Sequence, residues 1–160
     1  FDQKGKWAAQ GKVNKHLLDH MLEDKYFKMP APKSTGREYF HLPWLDNQLQ
    51  GFDIPHVDVQ ATLSALTASS ISNAIQSLSS SATIYVAGGG RMNNHLILQL
   101  KALLHDYTFC EIDEQLLNSD ALEAMAFAWL AFAYDKKIYG NIPAVTGASK
   151  EVVLGVEFTP

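Results

Sequence analysis

Thr83-Ile84-Tyr85-Val86-Ala87-Gly88-Gly89-Gly90-Arg91-Met92-Asn93-Asn94 is the stretch whose reading decides the fold. Thr83–Ala87 is a short apolar run rich in β-formers, set off by the serines at 79–81. Three glycines follow, and from His95 to Leu104 apolar residues return at helical spacing (Leu96, Leu100, Leu103, Leu104). The pattern predicts strand, glycine turn, helix. Glycine lets a backbone approach a ligand with no Cβ in the way, and it adopts positive φ. The helix N-terminus beyond it offers unpaired N–H groups and positive dipole. From the residues alone two readings of the turn stand side by side. One is a nucleotide or other planar or anionic ligand; the other is a tight turn that needs glycine only for its geometry.

The rest of the chain is read outward from that unit. Its 160 residues fit one domain, and the 47% hydrophobic content is that of a folded globule. A net charge of −4 argues against a nucleic-acid partner, which asks for a basic surface. No apolar run reaches the roughly 20 residues that span a bilayer, and no signal peptide pattern is visible at the start. One cysteine, Cys110, excludes an internal disulfide and fits a reducing cytoplasm. Its neighbours Phe109 and Ile112 suggest a buried strand thiol. The chain starts at Phe1 rather than Met, and its first dozen residues have no period. We therefore expect a piece of a longer protein.

Upstream, Gly11–Asp24 places Val13, Leu17, Leu18, Met21 and Leu22 on one helical face, with Asn14 or Gly11 near its start. Residues 26–40 read as a loop containing Pro30, Pro32 and Gly36. Residues 41–50 read as a short helix with Pro43 in its first turn. A second loop, 51–57, leads to a long helix from Val59 to about Leu78, with Asp58 placed to cap it. Downstream, 107–112 is a second strand, parallel to the first if the helix between them is a crossover. Ser119 or Asp120 can cap the next helix, 121–134, which is apolar almost all round and so expected to be buried, in a core or in a subunit interface. A loop at 141–149 and a last strand or extended tail at 152–158 follow. The order, helix-rich first and then βαβα, predicts an α/β fold.

Few residues stand out for chemistry. Glu123 is the only charge of its helix between Asp120 and Asp135. A carboxylate in an apolar helix is costly unless it is paired or used. From position alone the first-turn alternative, complementing the helix dipole or closing a capping box with Ser119 or Asp120, is favoured. Lys33-Ser34-Thr35-Gly36-Arg37-Glu38 is a dense polar cluster that can meet phosphate or a carboxylate, or tie loops together. It lacks the glycine spacing of a P-loop. His16 and His20 are four residues apart without the companion glutamate of a metalloprotease helix, so they read as a solvated face, and no metal-ligand set is expected.

Five stretches, taken in order and with their spacing, resemble anhydro-N-acetylmuramic acid kinase: PAPKSTGREYF (30–40), DVQATLSALTASSI (58–71), VAGGGRMNN (86–94), EAMAFAWLA (123–131) and IPAVTGAS (142–149). The resemblance covers essentially the whole chain, which looks like the C-terminal portion of that enzyme. It implies the sugar kinase/Hsp70/actin superfamily, two lobes with an RNase-H-like core, and nucleotide in the cleft between them. The chain is then a single domain, the C-terminal lobe, with the N-terminal lobe absent from it.

The resemblance also implies a reaction. The family converts 1,6-anhydro-N-acetylmuramic acid, ATP and water into N-acetylmuramic acid 6-phosphate and ADP in the bacterial cytoplasm. A carboxylate base activates the water, and the released O6 takes the γ-phosphoryl group with Mg²⁺ at the phosphates. By residue, Gly88, Gly89 and Gly90 resemble the glycine turn facing the nucleoside end of ATP. Asn93 resembles the asparagine that follows it, and Glu123 the glutamate that contacts the anhydro sugar. Arg91 departs from the family, which often has a small residue there. The family's phosphate loop and catalytic aspartate are expected upstream of Phe1, so the isolated chain is expected to be inactive. A homodimer is implied for the intact enzyme. A non-catalytic nucleotide-binding domain of the same superfamily is the competing reading.

Overall fold

A computed structural model describes residues 2–111 and 121–158. Two 3-10 turns, Gln3–Gly5 and Ala8–Gln10, precede α1 (Lys15–Leu22), α2 (Lys25–Lys28), α3 (Leu42–Gln48) and the long α4 (His56–Gln76). Then come β1 (Thr83–Val86), a 3-10 turn at Gly89–Met92, α5 (Asn94–Leu103), β2 (Thr108–Glu111), α6 (Leu122–Asp135) and α7 (Pro143–Thr146). The helix-rich half and the βαβα half fall in the expected order, and the fold is mixed α/β. The strands pair in parallel, Thr83 opposite Thr108 through Val86 opposite Glu111. The crossover reading of α5 therefore holds.

α4 organises the molecule. Most of its buried positions are small (Ala61, Thr62, Ala65, Ala68, Ser72), and small contact residues let neighbouring helices approach closely. α1 and α5 both pack against it. Leu17 and Met21 of α1 meet Leu66, and Trp44, Leu45, Phe52 and Ile54 extend this core. Fully buried large apolar side chains such as Leu17 and Met21 contribute about 1.5–3 kcal/mol each. Asn14 caps α1, its side-chain oxygen accepting from the Leu17 amide at 3.0 Å. Pro43 lies in the first turn of α3, as expected.

Several expectations are corrected. Asp58 does not cap α4, which starts earlier at His56 behind Pro55. Pro55 fixes φ for a helix start, and Asp58 falls in the first turn. Its carboxylate instead accepts the Lys12 amide at 2.7 Å, tying the segment before α1 to α4. The loops at 26–40 and 141–149 each contain a one-turn helix, α2 and α7. Residues 152–158 form no strand; the Val152 carbonyl accepts from the Gly140 amide at 3.0 Å. Cys110 is on β2 but only half-buried.

The largest correction is α6. Its all-round apolar sequence predicts burial, yet only Ala133 is buried. Phe127 is 65% exposed and Trp129 49% exposed. Leu130 and Tyr134 lean on the segment around Gly140, Leu154 and Gly155, and nothing among the described residues covers the opposite face. The expected caps Ser119 and Asp120, and the strand residue Ile112, lie outside the described residues. The cap position itself falls on Ala121, which offers no side-chain acceptor.

Candidate functional site

The glycine turn begins where β1 ends. Gly88 has φ +75° and ψ 178°, a conformation that side-chain-bearing residues rarely adopt. The Arg91 amide donates to the Gly88 carbonyl at 3.2 Å and the Asn93 amide to the Gly90 carbonyl at 3.0 Å, closing the turn. A Cβ built on Gly88, Gly89 or Gly90 meets nothing within 4 Å among the described residues. Close packing inside the chain therefore does not demand glycine at Gly89 and Gly90. What the three glycines leave is exposed backbone, open among the described residues.

Asn93 joins this turn to α5. Its side-chain oxygen accepts the Leu96 amide at 3.0 Å and so caps the helix. Gly5 abuts the same side chain: a Cβ on Gly5 would stand 2.1 Å from the Asn93 oxygen. Arg91 folds back, its Nη1 donating to the Gly88 carbonyl at 3.3 Å. The long side chain at this position thus braces the turn. Val86, Arg91, Ile97, Lys101, Cys110 and Glu111 help to line a cavity of about 230 Å³. Val86 and Glu111 close their strands, and the carboxyl ends of parallel strands are where α/β sheets take ligands. A bigger cavity of about 680 Å³, between α6 and residues 154–157, holds none of the candidate residues.

Glu123 sits apart from the turn, in the first turn of α6. It is exposed and makes no hydrogen bond or ion pair among the described residues. The helix dipole favours its negative charge there. The structure does not bring Glu123 and the glycines into contact within the described residues. His16 and His20 lie exposed on α1. Among the described residues no group of three or more His, Cys, Asp or Glu is placed to hold a metal ion. No described helix is long and apolar enough to cross a membrane.

Asp24 is a structural centre that the sequence reading missed. It accepts from the Tyr26 amide at 2.8 Å, the Tyr39 hydroxyl at 2.7 Å and the Trp44 indole at 3.0 Å. Burial pushes its carboxyl up. The hydrogen bonds from Trp44, the Tyr26 amide and Tyr39, with the charge of Lys25, outweigh that and hold it below the usual carboxylate value. The bond to Asp24, with burial second, pushes the Tyr39 hydroxyl above its ordinary value. An aspartate directly before a Lys-Tyr-Phe-Lys turn is the cap signal that could have found it.

Comparison with known proteins follows the same lines. The family model described as anhydro-N-acetylmuramic acid kinase matches residues 1–160. A protein of Colwellia psychrerythraea named anhydro-N-acetylmuramic acid kinase is 47% identical, over 100% of this chain and 44% of its own length. One of the same name from Photobacterium profundum is 46% identical, over 97% of this chain and 44% of its own length. One from Coxiella burnetii is 44% identical, over 97% of this chain and 42% of its own length. The chain thus spans less than half the length of the curated relatives it matches.

Proposed function

This chain belongs to the anhydro-N-acetylmuramic acid kinase family, and on that premise we propose that it is the C-terminal lobe of an enzyme that hydrolyses and phosphorylates 1,6-anhydro-N-acetylmuramic acid, with ATP as donor. The lobe carries the RNase-H-like architecture of the sugar kinase/Hsp70/actin superfamily. The reaction belongs to cell-wall sugar recovery in the cytoplasm, and the intact enzyme is a homodimer. The exposed apolar face of α6 supports that last point, since a second copy would remove it from water.

The observation that carries the reading is the open glycine turn at the carboxyl end of β1. Its bare backbone suits ATP, whose nucleoside end Gly88, Gly89 and Gly90 would receive, with Asn93 at the edge through its side-chain amide. Bound ATP supplies the phosphoryl group. The residues of this chain bind and orient; the base that activates water is assigned to the part of the protein outside this chain. Glu123, exposed and unpaired among the described residues, would accept a hydroxyl of the sugar. Mg²⁺ is assigned from the family, and its ligands would be the phosphates and groups outside the described residues. The isolated chain is then inactive.

The test is ADP release by the native-length protein with ATP, Mg²⁺ and the anhydro sugar. Release that requires the anhydro sugar, and that the ring-opened sugar does not support, is expected. Absence of sugar-dependent release would sink the proposal and favour a nucleotide-binding domain without this chemistry.

A further inference from the structure

The run that follows α7 carries a strand pattern which the fold leaves unused. Val152, Leu154, Val156 and Phe158 are apolar at every second position, the period of a strand with one covered face. Yet residues 152–158 form no strand. Only the beginning of the run is held. The Val152 amide donates to the Asn141 side-chain oxygen at 2.7 Å, and the Asn141 side-chain amide donates to the Lys150 carbonyl at 2.9 Å. The Gly140 amide donates to the Val152 carbonyl at 3.0 Å. From Val153 to Phe158 no backbone group makes a hydrogen bond among the described residues. Exposure rises along the same run: Leu154 is 39%, Val156 68% and Phe158 87% exposed.

The run leaves from the side of α6. A Cβ on Gly140 would stand 3.1 Å from Leu130, and one on Gly155 3.2 Å from the Tyr134 ring. Phe127, Leu130 and Tyr134 form one wall of the cavity of about 680 Å³, and Leu154 and Val156 belong to the other. Residues 127, 130 and 134 share one face of the helix. Met125, Trp129 and Phe132, also exposed, share another. The groove therefore leaves that second face for another copy.

Water can satisfy the free backbone groups of the run, but it cannot favourably cover the apolar side chains between them. A strand laid along the run answers both needs. Its backbone pairs with residues 153–158, and its alternate side chains enter the groove. The same polypeptide is the favoured source. Relatives that match 97–100% of this chain share only 42–44% of their own length with it, so more than half of such a polypeptide lies outside it. A tethered segment meets the groove at an effective concentration of about 1 mM, far above that of a free partner.

We propose that residues 153–158 are a β-strand of the whole protein, completed by a strand from the part of the polypeptide outside this chain, whose apolar side chains fill the groove on α6. Such pairing needs only membership of the family and holds whatever reaction the protein performs.

The test uses the native-length protein without substrates. Hydrogen exchange read by mass spectrometry should find the amides of 153–158 at least about 100-fold slower than in a free peptide. Phe158→p-benzoylphenylalanine then reports the partner. Irradiated after subunit exchange in a mixture of isotope-labelled and unlabelled protein, it should cross-link to residues outside this chain, and within one label only. Exchange at the free-peptide rate overturns the proposal. Cross-links that join the two labels overturn it as well, because a second copy is then the partner. So do cross-links confined to residues of this chain.

Discussion

Asn93 presents its side-chain oxygen to the Leu96 amide at 3.0 Å, so the residue that closes the glycine turn is also the cap of α5. The two duties use different atoms. The oxygen faces the helix, and the amide nitrogen is the group assigned to the nucleotide. Asn93→Asp keeps the cap and should change stability by no more than about 0.5 kcal/mol, because Asn and Asp cap equally well. It removes the amide donor and should weaken ATP in the native-length protein. Asn93→Ala removes the cap as well and should cost about 1 kcal/mol. Urea titration and ATP titration together separate the two effects; equal ATP affinity in both variants and wild type removes Asn93 from the site.

Gly88 and Gly89 should respond differently to the same change. Gly88 holds φ +75° and ψ 178°, so Gly88→Ala should cost about 1–3 kcal/mol through strain. Among the described residues Gly89 has open space around it, and it has no such φ. Gly89→Ala should leave the melting temperature near that of wild type, yet place a methyl where ATP approaches. Loss of ATP binding without loss of stability is the expected signature. Normal ATP binding by Gly89→Ala would leave the glycines as a turn only.

Asp24 gives a pH dependence. Its carboxyl lies below the usual carboxylate value when folded, so its contribution is complete above the unfolded value of about 3.9 and fades as pH falls through the lower, folded value. Asp24→Asn keeps one acceptor but not the charge. Urea midpoints at pH 7 and near pH 3 should differ less for Asp24→Asn than for wild type. An equal difference would show that the Trp44, Tyr26 and Tyr39 bonds carry no charge-dependent stability.

Ser72 is buried on α4, and its hydroxyl oxygen has no hydrogen-bond partner among the described residues. Ser72→Ala removes an unpaired polar group and installs a better helix former. It should stabilise the protein by about 0.5–1 kcal/mol, read as a higher urea midpoint with an unchanged slope. A lower midpoint would mean that the hydroxyl is satisfied in solution.

What the sequence disclosed, it disclosed through local pattern. The run from Thr83 to Leu104 passes from strand to glycine turn to helical spacing, and each signal is set by neighbours along the chain. The parallel pairing of β1 and β2 followed from that order. Long-range partners were not legible: nothing near Ser34 names Thr146, to whose carbonyl its hydroxyl donates at 3.3 Å, and nothing near Lys12 names Asp58. The exposure of α6 within this chain corrects only the core alternative, not the interface one. An all-round apolar helix reports that its surface is to be covered, but not whether its own chain does the covering. The positive φ of Gly88 is common to both readings of the glycine turn and does not choose between them. The roles given to Glu123 and Asn93 rest on resemblance, and the capping duty of Asn93 came only from the fold.

The two-stranded sheet has one further consequence. Within the described residues β1 and β2 pair only with each other, so each keeps one side of unused backbone donors and acceptors. Such edges recruit strands from other molecules. Handled at high concentration apart from whatever normally lies beside it, this chain should self-associate through Thr83–Val86 and Thr108–Glu111. A lysine at Tyr85, which is already half-exposed, would be the simplest way to keep it dispersed.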